Sequence, residues 1–189
     1  MNKNSIFVKN LDLMKRFFGL LSLCLLINSC DEGTISLQKF DFDSAAAVED
    51  CETNNGLFFK LNGIEALLLQ IPITAFKNEV TVVNSPRTFV INGTNRVLYR
   101  LFDSTISDAY FCSVIPPSTP IVTEEWIAKN GVSGVSGEVK ITTTAIINPT
   151  TGILTGYNHK IVFTNITFEK GSDSFVYEEY IFGNYVTAI

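Results

Sequence analysis

From residue 35 onward the chain switches between apolar and polar residues with a period of two, the spacing of a half-buried strand. Phe40 and Phe42 alternate with Lys39 and Asp41. Leu57, Phe59 and Leu61 alternate with Phe58, Lys60 and Asn62, and Glu65, Leu67, Leu69 and Ile71 run in phase until Pro72 stops the strand. The stretch 79–83 reads as a further strand before Asn84-Ser85-Pro86. Residues 88–91 then meet Asn92-Gly93, a composition that favours a tight hairpin, and the chain returns over 96–102.

Longer strands follow over 121–128, 138–147, 157–169 and 174–186, separated by Asn130-Gly131, Asn148-Pro149-Thr150-Thr151-Gly152 and Lys170-Gly171-Ser172-Asp173. In the last strand Val176, Tyr180 and Phe182 are expected on one face, with Phe175, Tyr177 and Ile181 on the other. Only 43–50, with Asp43 as cap, reads as a short helical turn. The repeat Gly131-Val132-Ser133-Gly134-Val135-Ser136-Gly137 reads as a flexible loop. About eight or nine strands with turn residues at this spacing define an all-β fold, a single antiparallel β-sandwich or barrel-like domain over 35–189.

The first 29 residues follow a different pattern. Lys15 and Arg16 precede an apolar run, 17–27, that is shorter than the roughly 20 residues needed to cross a bilayer core but fits a signal-peptide core. Ile27-Asn28-Ser29-Cys30 resembles a bacterial lipobox. The resemblance implies cleavage before Cys30, lipid attachment on its sulfur, and a lipidated tether over 30–34. Two or more acyl chains anchor a protein stably to a membrane. Asp31-Glu32 resembles the acidic signal that sends Bacteroidota lipoproteins to the outer face of the outer membrane. An outer-membrane, lipid-anchored and surface-exposed address is therefore expected.

Removing 1–29 takes four of the 14 basic residues and one of the 19 acidic ones, so the formal charge moves from −5 to −8. That acidity argues against nucleic acid as a partner, which demands a basic footprint. Of four cysteines, Cys24 leaves with the signal and Cys30 carries lipid. Cys51 and Cys112 remain in an oxidising compartment, which favours a disulfide between them.

Candidate chemistry is sparse. His159 is the one histidine, no serine sits in a Gly-x-Ser-x-Gly frame, and no metal-ligand spacing occurs; no cofactor and no metal are expected. Glu124-Glu125 and Glu178-Glu179 cannot form a hydrolytic dyad by themselves, because neighbours on a strand face opposite ways. Trp126, Tyr177 and Tyr180 are candidates for stacking on a glycan. The Asp-Ser pairs at Ser44 and Ser104 resemble Bacteroidota O-glycosylation sites.

The segment Tyr110-Phe111-Cys112-Ser113-Val114-Ile115-Pro116-Pro117-Ser118-Thr119-Pro120, read as a cysteine-bearing strand and a proline-stiffened connector, continues into Ile121-Val122-Thr123-Glu124-Glu125-Trp126. Together with the Asp-Glu start and Phe40-Asp41-Phe42-Asp43, it resembles a family of uncharacterised flavobacterial outer-membrane lipoproteins. The family carries no activity to transfer, and it supports the envelope address and the Cys51–Cys112 pair. These readings converge on a non-enzymatic envelope module that binds or assembles protein or glycan. The alternative is a glycosidase-like envelope hydrolase drawing carboxylates from separate strands.

Overall fold

The computed structural model describes residues 40–43, 47–51 and 54–189. The expected signal peptide over 1–29, Cys30, the expected tether over 30–34 and Ser44 lie outside them. Nine strands form one antiparallel sheet: β1 (Glu49–Cys51), β2 (Asn54–Asn62), β3 (Glu65–Gln70), β4 (Arg87–Val90), β5 (Arg96–Phe102), β6 (Val122–Ala128), β7 (Glu138–Ile147), β8 (Leu154–Lys170) and β9 (Asp173–Ala188). A 3₁₀ turn over Ile73–Ala75 and a four-residue helix, α1 (Ala109–Cys112), complete the regular structure among these residues.

The sheet forks at β8. One edge of β8 pairs with β9 from Gly156 to Lys170. Its other edge pairs first with β7, up to Thr164, and then with β6 at Phe168 and Glu169. From the fork one arm runs β7–β4 and the other β6–β5–β3–β2–β1. Asn165 sits at the branch point with φ of 48°, a left-handed conformation that asparagine tolerates better than most residues. The sheet does not close. Among the described residues the segment ahead of β1 makes one backbone bridge to β9, Ala47 to Asn184, with Val48 N–H donating to Asn184 O at 3.0 Å.

Asn92-Gly93 does make a turn, with Asn92 N–H donating to Asn95 O at 2.8 Å. The flanking strands nevertheless part. β4 pairs with β7, whereas β5 lies between β3 and β6. A turn fixes local direction, but the partner is chosen by which faces bury together. The stretch 79–83 is not a strand: Val80, Val82 and Val83 are 54%, 76% and 84% exposed. Residues 47–50 are extended rather than helical, with Glu49 and Asp50 opening β1. Cys112 ends α1 instead of lying on a strand.

The loop 131–137 is folded tightly and knits the fork together. Gly131 N–H donates to Ile91 O, Ile91 N–H to Gly137 O, and Gly137 N–H to Asn165 O, at 2.8–2.9 Å. A Cβ on Gly131 would lie 2.2 Å from Gly137 O, so the repeated glycines permit contact between backbones.

Two apolar clusters stabilise the sheet. The main core takes the concordant positions Phe58, Leu69 and Val97, then Leu67, Tyr99 and Trp126, together with Ile141, Ile161 and Phe163. β2, β3 and β5 are also buried on the opposite face. There Phe59, Leu68, Leu98 and Phe102 pack beneath Ile106 and α1. The Cys51–Cys112 disulfide, with Cα atoms 5.2 Å apart, fastens α1 to β1 over this second cluster. Near-continuous apolar runs such as Leu57–Leu61 and Ala66–Leu69 thus follow from strands covered on both sides.

Candidate functional site

The described residues ahead of β1, 40–43 and 47–48, lie beside β9 at the sheet's open seam and are called the strap. Phe40 and Phe42, 2% and 3% exposed, point into the main core. Phe40 packs against Tyr99, Phe168, Phe175, Tyr177 and Tyr180, with ring centroids 4.6–5.9 Å away. Asp41 and Asp43 face outward and are exposed. Alternation in Phe40-Asp41-Phe42-Asp43 therefore survives, but in a strap that belongs to no ladder.

Two phenols of β9 hold the strap. Tyr177 Oη donates to Phe40 O at 2.7 Å, and Tyr180 Oη accepts from Phe42 N–H at 3.2 Å. Both tyrosines face inward, although three residues apart, because the pairing loses its alternation opposite Asn165. The phase expected from the sequence holds for Tyr180 and Phe182 but fails before them: Phe175 and Tyr177 point into the core, and Val176 is 58% exposed. Burial, the largest effect, raises the Tyr177 phenol to about 12 and also raises Tyr180. Both stay protonated at neutral pH and serve as hydrogen-bonding posts rather than nucleophiles.

Grooves flank the strap on each side, and Asp41 and Phe42 line both. One of about 570 Å³ lies between the strap and β9, bounded by Tyr177, Glu179, Tyr180 and Ile181. The other, of about 280 Å³, is bounded by Asp43, Ala47, Glu49, Lys60, Leu61 and Asn62. Lys60 lies on the core-facing side of β2, 3% exposed, and its ammonium donates to the Asp43 carbonyl. Burial lowers its pKa, and the nearby Asp43 carboxylate opposes that shift. A lysine inside the apolar run Leu57–Leu61 was the sequence signal for this position. The strap itself had none beyond its alternation.

β9 adds a second feature at the larger groove. Among the described residues its outer edge makes a backbone hydrogen bond only at Asn184, so the length beside Tyr177–Ile181 is unpaired there. An unpaired edge with free backbone donors and acceptors is a template for another extended chain. Glu178 and Glu179 on this stretch are exposed and leave the rim acidic.

The other sequence candidates lie elsewhere. Trp126 is 5% exposed; Phe175 packs 5.0 Å from its ring, Lys170 Nζ sits 4.8 Å over it, and its Nε1–H donates to Glu124 at 3.4 Å. That leaves no open face for a sugar. Tyr180, 9% exposed, forms the groove floor, and Tyr177 is half-buried. Ser104 is exposed in the turn after β5, its hydroxyl 3.3 Å from Asp103 Oδ1. His159 is fully buried, with both ring nitrogens hydrogen-bonded. No group of three metal-ligating side chains occurs among the described residues.

Fold and groove together define an all-β, disulfide-stapled domain with a strapped, acid-rimmed groove at an open sheet edge. No family model, curated protein or solved structure matches the chain.

Proposed function

We propose that the protein is a lipid-anchored lipoprotein of the outer membrane, displayed at the cell surface, and that its domain is a non-enzymatic binding or assembly module. The observation that carries this reading is the groove between the strap and the unpaired edge of β9. It offers backbone hydrogen bonds along one side, neutral tyrosines on its floor and the carboxylates of Asp41 and Glu179 at its rim. Those features suit an extended, basic polypeptide segment better than a flat glycan face.

One observation favours the alternative, a glycosidase-like hydrolase. Asp41 and Glu179 come from separate segments and line one groove, as a pair of catalytic carboxyls must. The two readings separate experimentally. Protein captured from detergent-solubilised outer membrane, and identified by mass spectrometry, is expected to be lost with the charge-reversed Asp41→Lys/Glu179→Lys variant. Groove-directed cross-links to the same partner should vanish with it. Capture that ignores the variant, or turnover of envelope glycan abolished by Glu179→Gln, would overturn the binding reading.

A further inference from the structure

At the far end of β9 from the groove, residues 73–86 fold over one end of the main core. Their underside is Phe76, 6% exposed, with its ring 4.5 Å from Phe58, 5.0 Å from Tyr185 and 5.5 Å from His159. Their upper side includes Val80, Val82 and Val83, all exposed. What fastens this segment is a set of polar contacts converging on one imidazole.

The order of donors along that set is forced by its ends. Arginine only donates, and Arg87 Nη2 donates to Thr143 Oγ1 as well as to Lys77 O at 3.0 Å, while Nη1 donates to Glu79 O at 3.2 Å. The Thr143 hydroxyl proton is then directed to His159 Nδ1, 2.8 Å away. At the opposite end Thr187 Oγ1 donates to Asn78 Oδ1 at 2.5 Å, leaving a lone pair for His159 Nε2–H at 3.0 Å. Thr143 also exchanges bonds with Thr81: Thr81 N–H donates to Thr143 O, and Thr143 N–H to Thr81 Oγ1, both at 3.1 Å. Lys77 and Glu79 are thereby tied to β4 through Arg87, Thr81 to β7, and Asn78 to β9, and the polar chain that joins these ties runs through His159 and is fully satisfied by its neutral, Nε2-protonated form.

We propose that residues 73–86 form an acid-released lid, latched over the end of the core by the Arg87–Thr143–His159–Thr187–Asn78 chain and freed when His159 takes a second proton. A proton on Nδ1 would force the Thr143 hydroxyl to rotate its own proton off the imidazole and to accept from both His159 and Arg87, losing its hydrogen bond as a donor. It would also add a positive charge beside the guanidinium of Arg87. The remaining groups facing the ring cannot offset that charge. Tyr185 from β9 stacks 6.2 Å from the imidazole, and burial keeps its phenol neutral by raising it to about 12. Asp50 is spent on the far side of that ring, accepting from Tyr185 Oη at 3.1 Å. Asn78, Thr143 and Thr187 are neutral, Phe76 is apolar, and Lys77 and Glu79 reach Arg87 through backbone carbonyls. Burial first, and Arg87 second, accordingly push His159 down to about 4.

An opened lid returns the imidazole to water and to its ordinary value near 6.5. Linkage between those two states raises the opening equilibrium roughly 70-fold between pH 7.5 and pH 4.5. Opening would withdraw Phe76 and bare Phe58 and Tyr185, so acid would expose an aromatic surface at this end of the core.

Amide exchange on the mature protein, expressed as protection relative to the intrinsic rate at each pH, tests this directly. Protection of the Thr81 amide is expected to fall roughly 70-fold from pH 7.5 to pH 4.5 through an opening insensitive to urea, while the β3 amides of Leu67–Leu69, which open only on urea-sensitive global unfolding, stay better protected at each pH. His159→Gln should abolish that pH dependence. Thr187→Val, which leaves Nε2–H without an acceptor, provides a second route and should loosen Thr81 at least tenfold already at pH 7.5. A fall of less than about threefold at Thr81, Thr81 protection and urea dependence equal to those of β3, persistence of the pH effect in His159→Gln, or unchanged protection in Thr187→Val would each overturn the proposal.

Discussion

Removing the Cys51–Cys112 disulfide is expected to destabilise the domain by about 4 kcal/mol. The bridge spans 61 residues of sequence, and the chain-entropy relation gives about that value for a loop of this length. Enthalpy acts in the same direction. Cys51 is 3% exposed within the second cluster, and the staple holds α1 and Ile106 over Phe59, Leu68, Leu98 and Phe102. Without it, the segment from Asp103 to Pro120 stays attached to this face mainly through α1 and the Asp103–Ile121 contacts, at 3.1 Å each. For a domain of this size each kcal/mol moves Tm by about 2–4 °C, so the Cys51→Ala/Cys112→Ala variant should melt about 8–16 °C lower. Urea unfolding should show the same loss as a lower midpoint, with a steeper slope because the unfolded chain without the crosslink is less compact. The assay is thermal and urea unfolding of wild type, reduced wild type and the double variant. A Tm loss below about 3 °C, reproduced in the reduced wild type, would refute the reasoning, because it would mean that loop closure adds nothing to the unfolded state's entropy cost.

Phe42→Ala should cost about 3–5 kcal/mol, the usual range for emptying a buried aromatic site, and should free the strap; urea unfolding and loss of protection at the Phe42 amide would read it out. Stability should fall as the pH drops through the interval between 6.5 and about 4, since the unfolded chain takes up a proton on His159 that the folded state refuses. From pH 7 to pH 5 that loss is about 2 kcal/mol. It should be missing from His159→Gln, and equal slopes in the two proteins would disprove the assignment. Cys30→Ser should abolish metabolic labelling with palmitate and lipoprotein-type processing; normal labelling would remove the anchor from the proposed function.

Periodicity alone was enough for the all-β class, for most strand positions and for the inward phase of Leu67, Leu69, Val97, Tyr99, Val139 and Ile141, because side chains on a strand must alternate. The Cys51–Cys112 disulfide was also legible, since the expected compartment and the expected fates of Cys24 and Cys30 left two thiols and one pairing. Partner choice was not. Asn92-Gly93 specifies a turn, yet β4 and β5 go to different neighbours, and that decision belongs to faces that meet only in three dimensions. The same holds for Tyr177 and Tyr180, brought to one face by an irregularity opposite Asn165, and for Lys60, whose burial depends on a strap that arrives from before β1. His159 shows the division most sharply. The sequence marked it only as the one histidine, whereas its hydrogen bonding is set by Arg87, Thr143, Thr187 and Asn78, four residues from separate segments that the folded chain alone brings together around it.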